Sequence, residues 1–363
     1  MISKLWLLFR LFKVKVWAIP GRMIAIVFFA SLFLVPLFTD QSYVISILGL
    51  AGIFAIFAVS WDVLAGYTGQ LNLGHALFFG VGAYSAALLN QNFGLPPLIT
   101  IPLGGIGAAA IGLIACLPAL RLRGFYLALV TLSFPIVLTG VIFIFPDFTG
   151  GEMGLYGLSA LSNSQTLDYY VVLIVMIVSV SVMYIFTDAE SSNIQTGIIL
   201  HAIREDEITA RTSGIDTLKY KLLAFAVSGF FAGIAGGLYA HYLKIAGPST
   251  LALFISFQAI LWTVFGGIRT IYGAVAGVYL LFTLVEILRI SLIGDQIRYI
   301  VFTLILILTL LFMPEGATTW IRDKIEIECQ RCKISNAFTR KSCRACRTPL
   351  RLKNNESNSE KGG

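Results

Sequence analysis

Charge is what this chain has least of. Only 12% of its 363 residues are Asp, Glu, Lys or Arg, against 57% hydrophobic residues and a mean hydropathy of +0.85. Soluble domains carry about 25% charged residues, so the composition excludes a soluble fold and implies a polytopic membrane protein. Histidine is nearly absent as well. His75, His201 and His241 are too scattered to write a His-Glu-x-x-His metalloprotease helix. No Gly-x-x-x-x-Gly-Lys-Ser/Thr run exists, which excludes ATP binding by a P-loop. Asp295 follows Gly294 without the further glycine of an intramembrane aspartyl protease pattern. No catalytic constellation is left, and the chain reads as a non-enzyme. Carboxylates inside apolar runs are few, with Asp62 and Glu286 the chief ones. A secondary transporter would have little from which to build coupling-ion or proton sites.

What is present is apolar length. About ten segments are long enough to span a bilayer: 24–39, 43–62, 71–90, 97–118, 125–146, 169–187, 221–243, 252–268, 272–293 and 297–313. The 34 glycines fit closely packed transmembrane helices. The net charge of +7 does not signal nucleic acid, because Lys and Arg gather in the end segments and a few loops. With the amino terminus inside, one face receives Lys4, Arg10, Lys13, Lys15 and Arg22, then Arg121, Arg123, the 188–220 loop, Arg269 and the tail. The other receives Asp40, Asp147, Glu152 and Asp168, with Lys244 and Arg298 as its chief cations. This asymmetry predicts ten spans with both termini cytoplasmic in the plasma (inner) membrane. Eight spans with 71–90 re-entrant is the alternative. The first 17 residues mix Lys and Arg with Trp6, Phe9 and Phe12, as an amphipathic helix on the inner leaflet would. Residues 1–23 thus read as a basic cytoplasmic start rather than a signal peptide.

Two polar islands interrupt the apolar sequence. Residues 66–75 read Gly-Tyr-Thr-Gly-Gln-Leu-Asn-Leu-Gly-His. Backbone of this kind at membrane depth persists only where protein or a water-filled cavity satisfies its N–H and C=O groups. Gly66, Gly69 and Gly74 let the chain turn, while Tyr67, Thr68, Gln70, Asn72 and His75 supply hydrogen bonds. The stretch is either part of a substrate path or a short polar loop between spans. The second island, 197–215, sets Ile198, Ile199, Ala202, Ile203, Ile208 and Ala210 at near-helical spacing against Arg204, Glu205, Asp206 and Arg211. It reads as an amphipathic cytoplasmic helix ending near Gly214. Its charge is close to balanced, which favours a docked protein over lipid headgroups as the cover for its apolar side.

Five ordered blocks carry a resemblance: Gly66 to Ala76, the run Leu120-Arg-Leu-Arg-Gly-Phe-Tyr-Leu-Ala-Leu-Val-Thr-Leu132, Ala202 to Glu207, Tyr220 to Phe225, and Met313-Pro-Glu-Gly316. Together the chain resembles the LivM-type permeases of branched-chain amino acid ABC importers over residues of about 43 to 316. The resemblance implies an all-α polytopic membrane permease domain at 24–316. It also implies a second homologous (LivH-like) permease, two cytoplasmic ATPases that alone bind ATP, and an extracytoplasmic substrate-binding protein. The 197–215 segment would be the coupling helix, with Arg204, Glu205, Asp206 and Glu207 as rim contacts, Ile203 and Ile208 filling the ATPase groove, and Gly214 at its end. A urea or amide permease is a closely related alternative. A membrane scaffold or sensor leaves both polar islands unexplained.

Single charges near spans complete the reading. Glu286 and Arg289 are three apart and pair on one helix face, while Asp62 has a pathway or packing role. The Gly-Gly-Ile-Arg-Thr-Ile-Tyr-Gly run at 266–273 resembles the family's glycine-rich loop, which more often has glycine where Arg269 stands. Phe78 and Phe79 beside the first island would give an apolar lining for leucine, isoleucine or valine.

Cysteine is sparse until the tail. Cys116 lies in an apolar run as a small buried hydrophobe. The tail holds Cys329-x-x-Cys332 and Cys343-x-x-Cys346, two knuckles able to place four thiolates around one metal. A cytoplasmic tail disfavours disulfides, and zinc is preferred over iron in a rubredoxin-like site. Residues 317–350 therefore read as a zinc-ribbon-like module. It is made basic by Arg331, Lys333, Arg340, Lys341, Arg344 and Arg347, suited to anionic lipid or an acidic partner patch. Residues 351–363, rich in Asn, Ser, Glu, Lys and Gly, read as disordered.

Overall fold

The computed structural model describes residues 20–39, 41–119, 122, 124–188, 195–290, 295–313, 316–329, 335–337, 342, 343, 346 and 348–350. The amphipathic start at 1–17, Cys332, the six basic residues of the tail and the stretch 351–363 lie outside the described residues.

Ten helices coincide with the ten apolar segments. They are α1 (Pro20–Phe38), α2 (Ser42–Thr68), α3 (Ala76–Phe93), α4 (Pro97–Ala119), α5 (Phe125–Ile144), α6 (Gln165–Thr187), α9 (Thr217–Leu243), α10 (Leu253–Gly266), α11 (Ile271–Ile290) and α12 (Asp295–Phe312). Between α6 and α9 lie two short helices, α7 (Thr196–Glu205) and α8 (Glu207–Thr212), and α13 (Ala317–Ile325) follows α12. By length and composition, α2, α4, α5, α6, α9 and α11 are each able to cross a membrane. The 14 residues of α10 are too few for a full span, and the 18 of α3 end in the polar Asn90-Gln91-Asn92.

Element boundaries depart from the sequence reading where side chains continue a helix that hydropathy would stop. The span read as 43–62 continues to Thr68, because Asp62, Tyr67 and Thr68 all find partners inside the protein. The segment read from 71 begins its helix only at Ala76. Gly66, Tyr67 and Thr68 are therefore helical, and the non-helical break is confined to 69–75.

The core of the Thr39–Gly316 unit is built on α9, which packs on α2, α3 and α4. Helix backbones touch here. A Cβ on Gly82 of α3 would sit 2.2 Å from the Gly233 carbonyl oxygen of α9, so only glycine allows this approach. Beside this contact, Phe54 and Phe79 stack at 6.1 Å, with Trp262 and Phe282 at 5.1 and 5.4 Å from Phe54. Phe78 and Phe79, read as a path lining, are both buried in the core. Cys116 is buried as expected. Glu286 and Arg289 form the predicted pair at 3.1 Å, and both bind the Tyr43 hydroxyl at 3.0 Å.

At the end of the bundle away from α7 and α8, the 145–164 segment packs on α3 and α9. Its strand β1 (Leu155–Tyr156) pairs antiparallel with β2 (Ile245–Ala246). His241 Nδ1 donates to the Ser159 carbonyl at 2.9 Å and Thr100 Oγ1 donates to Nε2 at 2.7 Å, leaving a neutral ring with both nitrogens used.

A second compact unit takes in α1 and residues from Ala317 onward. There α13 carries Lys324 Nζ 3.4 Å above the Trp320 ring, and strand β3 (Glu326–Glu328) pairs antiparallel with β4 (Ser335–Ala337).

Candidate coupling and translocation site

The break at 69–75 exists because α2 is capped and then held open. Gly69 takes a left-handed conformation (φ 71°) as the C-cap and donates its N–H to the Leu64 carbonyl. Asn72 then organises the turn. Its Oδ1 accepts the Gly74 N–H at 2.9 Å, and its own carbonyl accepts Trp61 Nε1–H at 2.8 Å. The next helix is received by its neighbours, with the Leu73 N–H on Thr131 Oγ1 at 3.2 Å and the Ala76 N–H on Ser256 Oγ at 2.8 Å.

His75 is the buried centre of this arrangement. Its Nε2 lies 2.9 Å from Ser60 Oγ and its Nδ1 3.3 Å from Asn72 Nδ2. Ser60 Oγ already donates to the Phe57 carbonyl at 2.7 Å. The ring must therefore donate from Nε2 and accept at Nδ1, which fixes a neutral tautomer. Phe57 and Phe78 flank it at 4.8 and 5.4 Å. Of the residues read as a substrate path, Gly66, Tyr67, Thr68, Gln70, Asn72, Gly74 and His75 are buried and only Gly69 is exposed. Their polar groups are bonded within the chain, with Thr68 Oγ1 on the Leu64 carbonyl and Gln70 Nε2 on the Thr68 carbonyl. Among them, Thr68, Gly69 and Gln70 border a cavity of about 300 Å³.

The other wall of that cavity is the second island. The single amphipathic helix read at 197–215 is two helices with an elbow at Asp206. Asp206 has an extended backbone (φ −154°), and its carboxylate accepts the Ile208 and Thr209 N–H groups as the N-cap of α8. A bond from the Thr209 hydroxyl, and then these backbone bonds, hold its pKa below the usual carboxylate range. A carboxylate that caps a new helix is also a carboxylate that ends the previous one. Gly214, left-handed at φ 87°, follows the last turn as expected.

The elbow faces two ways. Ile198 and Ile208 are 52% and 63% exposed, and Glu205 and Asp206 are open to solvent. Ile203 is buried within the chain, so it cannot fill a groove on a partner in this conformation. Arg204 and Glu207, read as rim contacts, turn inward instead. Arg204 Nη1 donates to the Gly66 carbonyl. Glu207 Oε2 lies 2.7 Å from Lys221 Nζ, and Lys221 is buried at the start of α9. Glu207 also accepts Arg211 at 3.2 Å.

Beneath α7, Asp62, Tyr67 and the 266–270 loop meet. Asp62 Oδ1 accepts the Arg269 N–H at 3.0 Å and Tyr67 Oη donates to the Arg269 carbonyl at 2.8 Å. Arg269 itself is left-handed at φ 69°. Glycine would adopt this backbone without strain. His201 packs edge-on against Tyr67 at 5.5 Å. Its basicity is lowered by burial first, and then by the Arg269 and Arg204 charges. Ser60, Lys221, His201 and Ser256 had no pattern of their own in the sequence. Only Lys221 left a signal, as part of the Tyr220 to Phe225 block at the start of an apolar run.

In the tail, the sulfurs of Cys329, Cys343 and Cys346 all lie within 4.8 Å of one another, with Cys329 and Cys346 at 3.5 Å. Thiolates on one tetrahedral zinc stand about 3.8 Å apart, so the cluster fits such an ion. Asn336 Nδ2 donates to Cys343 Sγ at 3.6 Å, and Thr348 Oγ1 lies 3.2 Å from Cys346 Sγ. Contacts of this kind orient the ligands where a metal is held.

Comparison with known proteins agrees with this architecture. The chain is 29% identical over 310 residues to the high-affinity branched-chain amino acid transport permease LivM of Escherichia coli, covering 78% of this chain and 72% of that protein. It is 25% identical over 295 residues to LivH of Salmonella typhimurium and 24% identical over 283 residues to BraD of Pseudomonas aeruginosa, covering 91% and 90% of those proteins and 74% and 72% of this chain. No solved structure matches. The family model for the branched-chain amino acid transport system permease component matches residues 43–310, and this multi-pass membrane protein belongs to that family.

Proposed function

We propose that the chain is one of two permease subunits in an ATP-driven importer of branched-chain amino acids. A homologous LivH-like permease supplies the other half of the path. Two cytoplasmic ATPases bind the ATP, and an extracytoplasmic binding protein delivers leucine, isoleucine or valine. The observation that carries the reading is the elbow of α7 and α8. It is anchored to the bundle by Arg204 and Lys221, while Ile198, Ile208, Glu205 and Asp206 are turned out. A rigid, anchored and outward-facing element is what closing ATPases need in order to move a membrane helix. Both termini lie on the cytoplasmic side in this reading. Substrate passes near the 66–75 break, at the interface with the second permease, and the break sets how helices meet rather than offering its polar groups to cargo. Cys329, Cys332, Cys343 and Cys346 hold zinc in a tail that serves assembly rather than transport chemistry.

A pull-down of the tagged chain from its native membrane in mild detergent tests this, with proteins and metals measured on one preparation. The expected result is two ATPases, a second permease and about one zinc per chain. Ile208→Asp should lose the ATPases and keep the permease partner. A chain that emerges alone would point to a transporter without an ATPase.

A further inference from the structure

The strongest unexplained feature is a carboxylate oxygen. Asp62 is fully buried, and one of its oxygens accepts the Arg269 N–H while the other, Oδ2, is enclosed without a hydrogen-bond partner. An enclosed carboxylate oxygen without a hydrogen-bond partner is costly and calls for an explanation. Two guanidinium groups, those of Arg204 and Arg269, are close enough to interact with Asp62 electrostatically, yet neither is in ion-pair contact with it.

The local sequence makes room for this arrangement. A Cβ on Gly66 would lie 1.9 Å from Asp62 Oδ1, so glycine is what lets the carboxylate lie over the next turn of α2. A Cβ on Gly69 would meet the Arg204 side chain at 3.2 Å, in a left-handed backbone that already disfavours side chains. The two glycines of Gly66-Tyr-Thr-Gly69 thus clear space for the two charged groups. The carbonyl that Arg204 now holds belongs to Gly66, the residue against which the Asp62 carboxylate packs. Acceptor held and acceptor vacant are neighbours on one helix end.

We propose that Asp62 and Arg204 are positioning residues for coupled transport, forming a two-position latch: Arg204 holds the Gly66 carbonyl in this state and shifts to Asp62 Oδ2 when the elbow is driven toward the bundle. The guanidinium has five N–H donors in a planar fork, so it can exchange a carbonyl for a carboxylate with little change in its stem. The same carboxylate holds the Arg269 N–H, and Tyr67 holds the Arg269 carbonyl. Movement of α7 therefore reaches the 266–270 loop between α10 and α11 through Asp62. One short path joins the ATPase-facing helix to α10 and α11. This rests on the coupling role proposed above for α7 and α8.

The test uses the whole complex reconstituted in vesicles with its binding protein, reading leucine uptake and ATP hydrolysis together. Asp62→Asn keeps an acceptor for the Arg269 N–H and removes the charge. Arg204→Gln is the complementary variant. Each should assemble with its ATPases and hydrolyse ATP, while uptake per ATP falls by about tenfold, a coupling of the usual allosteric size. The double variant should be no worse than either alone, because both remove one interaction. Uptake per ATP equal to wild type in either variant, additive losses in the double, or failure of both single variants to assemble would each overturn the latch. If the wild-type complex itself shows no ATP-dependent leucine uptake, the importer reading fails rather than the latch alone.

Discussion

The two polar islands look alike in the sequence and do opposite things in the fold. At 69–75 the polar groups turn inward and are used up. His75, Asn72 and Gln70 are buried and bonded to their own chain, and the break is a joint that sets where α3 begins. At 196–212 the polar groups divide. Arg204 and Glu207 reach into the bundle, while Glu205 and Asp206 stay outside beside two exposed isoleucines. A joint at membrane depth satisfies its hydrogen bonds within its own chain. The second island keeps one face on its own protein and leaves the other open, as the coupling role proposed above requires. Polarity alone does not separate the two roles; the destination of each hydrogen bond does.

The sharpest way to break the comparison is at the inward face of the elbow. Glu207→Ala would leave Lys221 buried without its counter-charge, at a cost of about 3–5 kcal/mol. It should lower the thermal unfolding midpoint of the purified chain more than any other elbow substitution, and a loss no greater than that of an exposed-residue variant would refute the buried pair. The break should respond next. His75→Ala removes a packed ring and strands Ser60 and Asn72, costing about 2–4 kcal/mol. The same unfolding measurement checks this, and His75→Gln should recover part of it. A substrate-path role instead predicts lost uptake in a chain of wild-type stability.

The smallest effect is a pH dependence of the contact between the islands. His201 has its pKa lowered in the folded protein, so the unfolded chain binds the proton more readily. Stability contributed by neutral His201 is present above the unfolded value of about 6.5 and is lost as pH falls below it. Unfolding midpoints between about pH 7.5 and 5.5 should therefore drop on acidification, and less so in His201→Asn.

Much of this was legible beforehand, for definite reasons. Apolar length located the ten long helices among the described residues, since hydrocarbon permits few other solutions for a run of that kind. The pairing of Glu286 with Arg289 followed from helical spacing. The extent of the break was misplaced because Gly66 resembles a turn residue, whereas it sits in a helix to admit the Asp62 carboxylate. The elbow was missed because the apolar repeat of 197–215 continues through Asp206, and only the backbone there shows that its carboxylate caps a new helix. Arg204 and Glu207 looked like surface charge because their partners, the Gly66 carbonyl and Lys221, are far away in sequence.

The sequence by itself determined the solvent, the number of long helices, the family, and the cysteine pattern of the tail. These depend on composition, length and local spacing, which a linear chain displays openly. Which charges face outward and which face the bundle, which glycine turns the chain and which makes room, and why one oxygen of Asp62 is left over were decided only by the tertiary structure. Each is a contact between residues brought together from distant segments, and no local pattern records where the opposite group will be.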